Sequence, residues 1–146
     1  MILPSPPITD RGQPATARNI GLWVVQILLF ITFTGTAVWK LLTPIEKLAA
    51  MIPWAGQVPP GFLYATAAID LCGGLGVLLP AVTRIKPGLT ALAALGCAAL
   101  QLCAIVFHLS RGEAANTPFN FLLVGLSLFV AWGRRKRPQP KMAQAR

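Results

Sequence analysis

Four stretches of this chain are apolar for long enough to cross a lipid bilayer, and that feature removes most of the folds open to 146 residues. They run from Ile20 to Trp39, Phe62 to Leu79, Gly88 to Leu109 and about Thr117 to Gly133. A hydrocarbon layer roughly 30 Å thick takes about 20 apolar residues of helix, and every backbone polar group inside it must be satisfied by the segment itself. The expected fold is therefore an all-α membrane protein built as a four-transmembrane-helix bundle. Composition agrees, since 55% of residues are hydrophobic and only 12% charged, about half the charged share of a soluble domain. The first run is too long for the core of a secretory signal and reads as a retained span.

The segments between the runs complete the organisation. Met1 to Arg18 is proline-rich and aperiodic, which predicts a disordered tail ahead of a membrane domain over residues 19–133. Between Leu41 and Gly61, Ile45, Leu48, Ala49 and Ile52 recur at helical spacing opposite Glu46 and Lys47, bounded by Pro44 and Pro53. This predicts a short amphipathic surface helix between helices one and two, with Trp39, Trp54, Phe62 and Tyr64 as its aromatic belt. The second run is expected to stop at Pro80. Residues 134–146 form a basic tail.

The net charge of +9 does not point to nucleic acid, because six of the thirteen basic residues lie in the last thirteen positions, outside any apolar run. They read as the basic flank of a membrane helix. Arg11, Arg18, Arg84, Lys86, Arg134, Arg135, Lys136, Arg137 and Lys141 fall on the side of the termini, against Lys40, Lys47 and Arg111 on the other. The excess predicts a multi-pass protein of the plasma or inner membrane with both termini cytoplasmic. Three cysteines without a C-x-x-C offer no metal site, and Gly73, Gly74 and Gly76 follow no strand that would make them a nucleotide loop.

Polar residues inside the runs are few and periodic. Asp70 sits near the middle of the second run, where a carboxylate costs at least about 2.5–3.5 kcal/mol on insertion scales and so belongs in the bundle interior. Thr66, Asp70 and Gly74 are spaced four apart, as are Thr32, Thr36 and Lys40 on the first run, with Gln26 and Phe33 close to the same face. Ala68, Cys72 and Gly76 form a parallel track of small residues suited to close helix contact. On the third run Thr90, Cys97, Gln101 and His108 share a face, and on the fourth Asn116, Asn120 and Ser127 do. A rise of about 1.5 Å per residue puts Asp70, Gln101 and Thr32 at one depth, with Lys40, His108, Arg111 and Asn120 ringing the mouth above them. On that estimate Lys40 stands roughly 10 Å above Asp70. Two roles for it stay open, an interfacial anchor or a buried partner for the carboxylate. His108 becomes a proton carrier only if it is tied to an acid.

Gly35 followed by Lys40-Leu41, the acidic glycine-rich second run ending Leu78-Leu79-Pro80, the Pro87-x-Leu89-Thr90-x-Leu92-Ala93-Ala94 opening of the third, and His108-Leu109-x-Arg111-Gly112-Glu113 together resemble the DoxX-like family of small four-helix membrane proteins. The likeness covers about Ile20 to Gly133. It implies the fold and the membrane location, and some relatives are membrane subunits of thiosulfate:quinone oxidoreductase or associate with redox enzymes. Two readings of function result. In the first, a non-catalytic membrane component binds a partner or a small apolar ligand, with Lys40, Asp70 and Gln101 holding the bundle together. In the second, a membrane subunit of a quinone-linked oxidoreductase system uses Asp70 and His108 as a proton relay. Whether the chain is an enzyme stays open. No cofactor is expected apart from the quinone of the second reading, and the expected partners are the lipid bilayer and either a redox enzyme or further copies of the chain.

Overall fold

The computed structural model describes residues 13–86 and 88–135. Five α-helices follow one another: α1 (Gln13–Leu42), α2 (Ile45–Met51), α3 (Pro60–Thr83), α4 (Gly88–Ser110) and α5 (Thr117–Arg134), with 3-10 turns at Pro53–Gly56 and Ala114–Asn116. Four of them are long and apolar enough to span a membrane, and α2 lies in the connection between the first two. The ends of the helices are written in local chemistry. Thr43 precedes a proline and is pushed out of the helical region, which stops α1 at Leu42. Pro60 opens α3 within its first turn, where the missing N–H costs nothing. The turn into α4 passes through positive φ at Arg84 (59°) and Lys86 (47°).

Three boundaries differ from expectation. Helix α1 begins at Gln13, seven residues ahead of the first long apolar run, so part of the segment expected to be disordered is helical. Residues 1–12 and 136–146 lie outside the described residues. Helix α3 continues through Pro80 to Thr83. A proline ring removes one helical hydrogen bond and loosens the turn before it, which membrane helices tolerate when neighbours supply donors. The carbonyl deprived of its bond is that of Gly76, four residues before Pro80; in the adjoining turns the Gln26 amide, from α1, donates to the Val77 carbonyl at 2.8 Å, and the Thr83 hydroxyl donates to the Leu79 carbonyl at 2.8 Å.

The four long helices close a ring in which α1 packs on α3 and α5, and α4 packs on the same two. Leu29 and Phe33 of α1, Val77 of α3, Ala94 and Cys97 of α4, and Leu123 and Val130 of α5 form the core. Glycines allow the closest approaches. A Cβ at Gly74 would stand 3.1 Å from the Thr34 backbone nitrogen and 3.3 Å from the Phe30 carbonyl oxygen, so α3 presses directly on the α1 main chain. Gly73 and Gly76 admit Cys97 and Ala93 of α4. The track of small residues expected along Ala68, Cys72 and Gly76 is thus corrected: only Gly76 meets a helix, while Ala68 and Cys72 are exposed on the outer surface of the ring. That surface also carries Ile31, Leu92, Val106 and Phe121, the apolar exterior a bilayer solvates.

The ring has two ends. At the tail end stand the start of α1, the α3–α4 turn and the end of α5. At the loop end, α2 is fastened by a small cluster in which Leu48, Ala55 and Leu63 are buried and Trp39, Ile45, Ile52 and Trp54 are packed around them. Glu46 and Lys47 stay exposed on its opposite face. This amphipathic division roofs the bundle.

Candidate functional site

Beneath that roof the Lys40 ammonium meets Asp70 Oδ2 at 2.8 Å, both residues more than nine-tenths buried. Thr66 Oγ1 stands 3.5 Å from the same ammonium and donates its own proton to the Leu63 carbonyl. The Trp54 ring faces the ammonium at 5.7 Å from its centroid. The height difference expected between the two residues is bridged without an intermediary. The reason is the direction of the Cα–Cβ bond, which tilts toward a helix's own N-terminus. Helices α1 and α3 run in opposite directions, so Lys40 slants down into the bundle while Asp70 slants up toward the loop end.

Beside the ion pair lies a cavity of about 300 Å³. Thr32, Thr36 and Lys40 reach it from α1, Thr66 and Asp70 from α3, Gln101 and His108 from α4, and Asn120 from α5. These eight candidate residues therefore line one space, whereas Thr90, Cys97, Asn116 and Ser127, which share their spacing, do not reach it. The remaining wall is apolar and largely aromatic, with Phe33, Trp39, Trp54, Phe62, Phe107 and Phe119. Gln101 is 8% exposed, and among the described residues its amide has no hydrogen-bond partner in the protein. The Asn120 amide nitrogen is shielded and equally unpartnered. Buried polar groups are normally paired, so the Gln101 amide on the wall of this cavity marks a place where something outside the chain belongs. Among the described residues no three His, Cys, Asp or Glu side chains converge as a metal site.

Arg111 does not join this ring, contrary to expectation. It bonds to Glu113 Oε1 at 3.1 Å, to the Gln57 side chain on the neighbouring connection, and lies over the Phe107 ring at 5.2 Å. The other Glu113 oxygen is 2.8 Å from His108 Nδ1. The hydrogen bond with His108, together with Arg111, holds the Glu113 carboxyl below its ordinary range. An ionised carboxylate only accepts, so the proton of this hydrogen bond sits on His108 Nδ1. His108, Ile52 and Trp54 also border a second space of about 330 Å³, which Glu113 and Asn116 help to line. The imidazole and the indole together form the wall between the two.

Three features go beyond the spacing read from the sequence. Cys103 lines the cavity although nothing in its spacing distinguishes it. Gln26, fully buried, accepts from Arg134 Nε at 2.7 Å while donating to Val77. Arg134 also donates to Asn19 at 3.3 Å and covers the Trp23 ring at 5.0 Å. With Leu22 pressed on Gly133, these contacts staple α1 to α5 at the tail end. Arg134, expected only as part of the basic flank, is a structural cross-tie.

An antiparallel ring of four spanning helices, with an ion pair and the Gln101 amide beside a cavity under an amphipathic cap, defines a polytopic membrane protein with a polar-lined interior. The sequence pattern of the DoxX-like family matches residues 24–130, and the chain belongs to that family. No curated protein and no solved structure matches it.

Proposed function

We propose that this protein holds a small, largely apolar molecule in the cavity between its helices and acts without catalysing a reaction of its own. The observation that carries the reading is Gln101, buried and without a protein partner among the described residues, facing a space walled mainly by apolar and aromatic side chains. Natural ligand sites have this make-up, an apolar wall with a few placed polar groups. The Lys40–Asp70 pair supports the site by tying α1 to α3 at its edge. Positive flanks at the tail end, Arg84, Lys86, Arg134 and Arg135, favour cytoplasmic termini, which would place α2 and the cavity mouth on the outer side. Native mass spectrometry of protein gently extracted from its membrane tests the reading and counts the copies that assemble. A reproducible small adduct lost on Gln101→Leu is the expected result. A bare protein mass under conditions that retain ordinary lipids would overturn it.

A second reading is favoured by His108. Its Nδ1 is held by Glu113 and its ring borders both spaces, an arrangement suited to passing a proton outward from a molecule in the cavity. On that reading the protein is a membrane subunit of a quinone-linked redox system. Organic extraction of the purified protein decides between the two: a stoichiometric quinone favours the subunit, and any other bound molecule favours the simple holder.

A further inference from the structure

We propose that the occupant is a neutral amphiphile with a hydrogen-bonding head, and that it is admitted from the bilayer between α1 and α5. This rests on the ligand-holding reading and adds to it the chemistry of the head and the route.

The charge argument comes first. Each ionisable group at the cavity already has a counter-charge or a fixed partner: Lys40 has Asp70, and His108 has Glu113, which also holds Arg111. A charged occupant would enter a desolvated space with nothing left to compensate it, a severe penalty at lipid depth. Neutral molecules carry no such penalty. Among the described residues, the unspent group on the cavity wall is the Gln101 amide, buried and able both to donate and to accept. A neutral head that hydrogen-bonds to it satisfies it, and a bare alkyl chain does not.

The route follows from how the four seams of the ring are closed. The α3–α4 seam is covered at the loop end by Phe62 stacked on Phe107, 6.2 Å between centroids. The roof is held by Trp54, edge-on to Phe107 at 5.7 Å. Helices α1 and α5 form the loosest seam, and their side-chain bonds all lie at the tail end, through Arg134 with Gln26 and Asn19. Toward the loop end the two helices border the cavity instead, with Thr32 and Thr36 on one side and Asn120 on the other. Phe119, at the same edge, lines the cavity while 57% exposed on the apolar exterior of the ring. A lipid-soluble molecule reaches Asn120 past Phe119 without crossing water.

The test uses Trp23→Phe/Trp132→Phe protein in nanodiscs, which leaves Trp39 and Trp54, both on the cavity wall, as fluorescent reporters. The probes are monoolein (neutral, hydrogen-bonding head), oleylamine (cationic), oleate (anionic) and octadecene (no polar head). Monoolein alone should give a saturable change. Gln101→Leu should weaken it by roughly three- to tenfold, the worth of one hydrogen bond, and Gln101→Met provides a second variant should the first misfold. Stopped-flow traces read the route. Phe119→Ala should speed monoolein binding and release together, at least threefold each. If oleylamine, oleate or octadecene bind as well as monoolein, the head chemistry is overturned while the ligand-holding reading stands. If Ile52→Ala alters the rates and Phe119→Ala does not, admission is through the roof and the lateral route is overturned. If none of the four probes changes the fluorescence of folded protein, both proposals fall.

Discussion

Lys40 and Asp70 are thirty residues apart on different helices, yet their charged atoms touch at 2.8 Å in the interior of the bundle. Neither charge has bulk water to fall back on. The pair is therefore a commitment of both helices to one register.

Removing one member leaves the other buried and alone. Lys40→Met or Asp70→Asn should each destabilise the protein by about 3–5 kcal/mol, whereas the double substitution should cost much less than their sum. Thermal unfolding in a mild detergent measures all four proteins. Additive losses would show that the contact contributes nothing specific.

The Gln26 side chain serves two partners, the Val77 carbonyl and Arg134. Gln26→Leu keeps most of the volume and orphans both, so it should cost about 1–3 kcal/mol, the penalty for buried polar groups left unpaired. Gln26→Glu retains an acceptor for Arg134 and loses the donor to Val77; it should fall between wild type and Leu in the same unfolding assay.

At the loop end the carboxyl of Glu113 is held below its ordinary value of 4.5 by His108 and Arg111. A group whose folded value is depressed lends stability above its unfolded value and loses it as pH falls through the folded one. The difference in melting temperature between wild type and Glu113→Gln should thus be constant above about pH 5 and shrink under more acid conditions. A gap that widens on acidification would contradict the assignment. Arg111 should also lose its hold on Gln57 when Glu113 no longer positions it, so hydrogen exchange near Gln57 should rise in the variant.

Orientation is checked by a reporter active only outside the cytoplasm. Fused after Arg146 it should be silent, and inserted near Gln57 it should be active. The reverse pattern would invert the placement of the cavity.

Much of the site was legible because membrane helices expose so few polar residues that their period stands out. Thr32, Thr36 and Lys40, or Thr66 and Asp70, could share a face only if that face pointed inward. Spacing along one helix says nothing about which residues of two helices meet. The Gln26–Arg134 bond spans 108 residues, and neither the inward stripe of α1 on which Gln26 lies nor the basic flank that holds Arg134 names the partner. Depth failed for a related reason: counting rise per residue locates Cα atoms, whereas the opposed tilts of Lys40 and Asp70 decide where the charges are. Pro80 misled because a proline deprives only one carbonyl, that of Gly76, and the remaining backbone bonds carry α3 on to Thr83. Trp54 read as an interfacial anchor since only the folded roof turns its ring over Lys40 and against Phe107.

The ring of helices is shut by its first and last members, and this sets an order of assembly. As the chain leaves the ribosome, α1 and α3 are present before α4 and α5 exist. Lys40 and Asp70 can neutralise each other within that first hairpin, so both enter the lipid without waiting for the rest of the protein. The staple between Gln26 and Arg134 must wait for the final helix. Until then the interior lies open along one whole side, and a molecule of the bilayer can be enclosed during biogenesis as well as admitted afterwards.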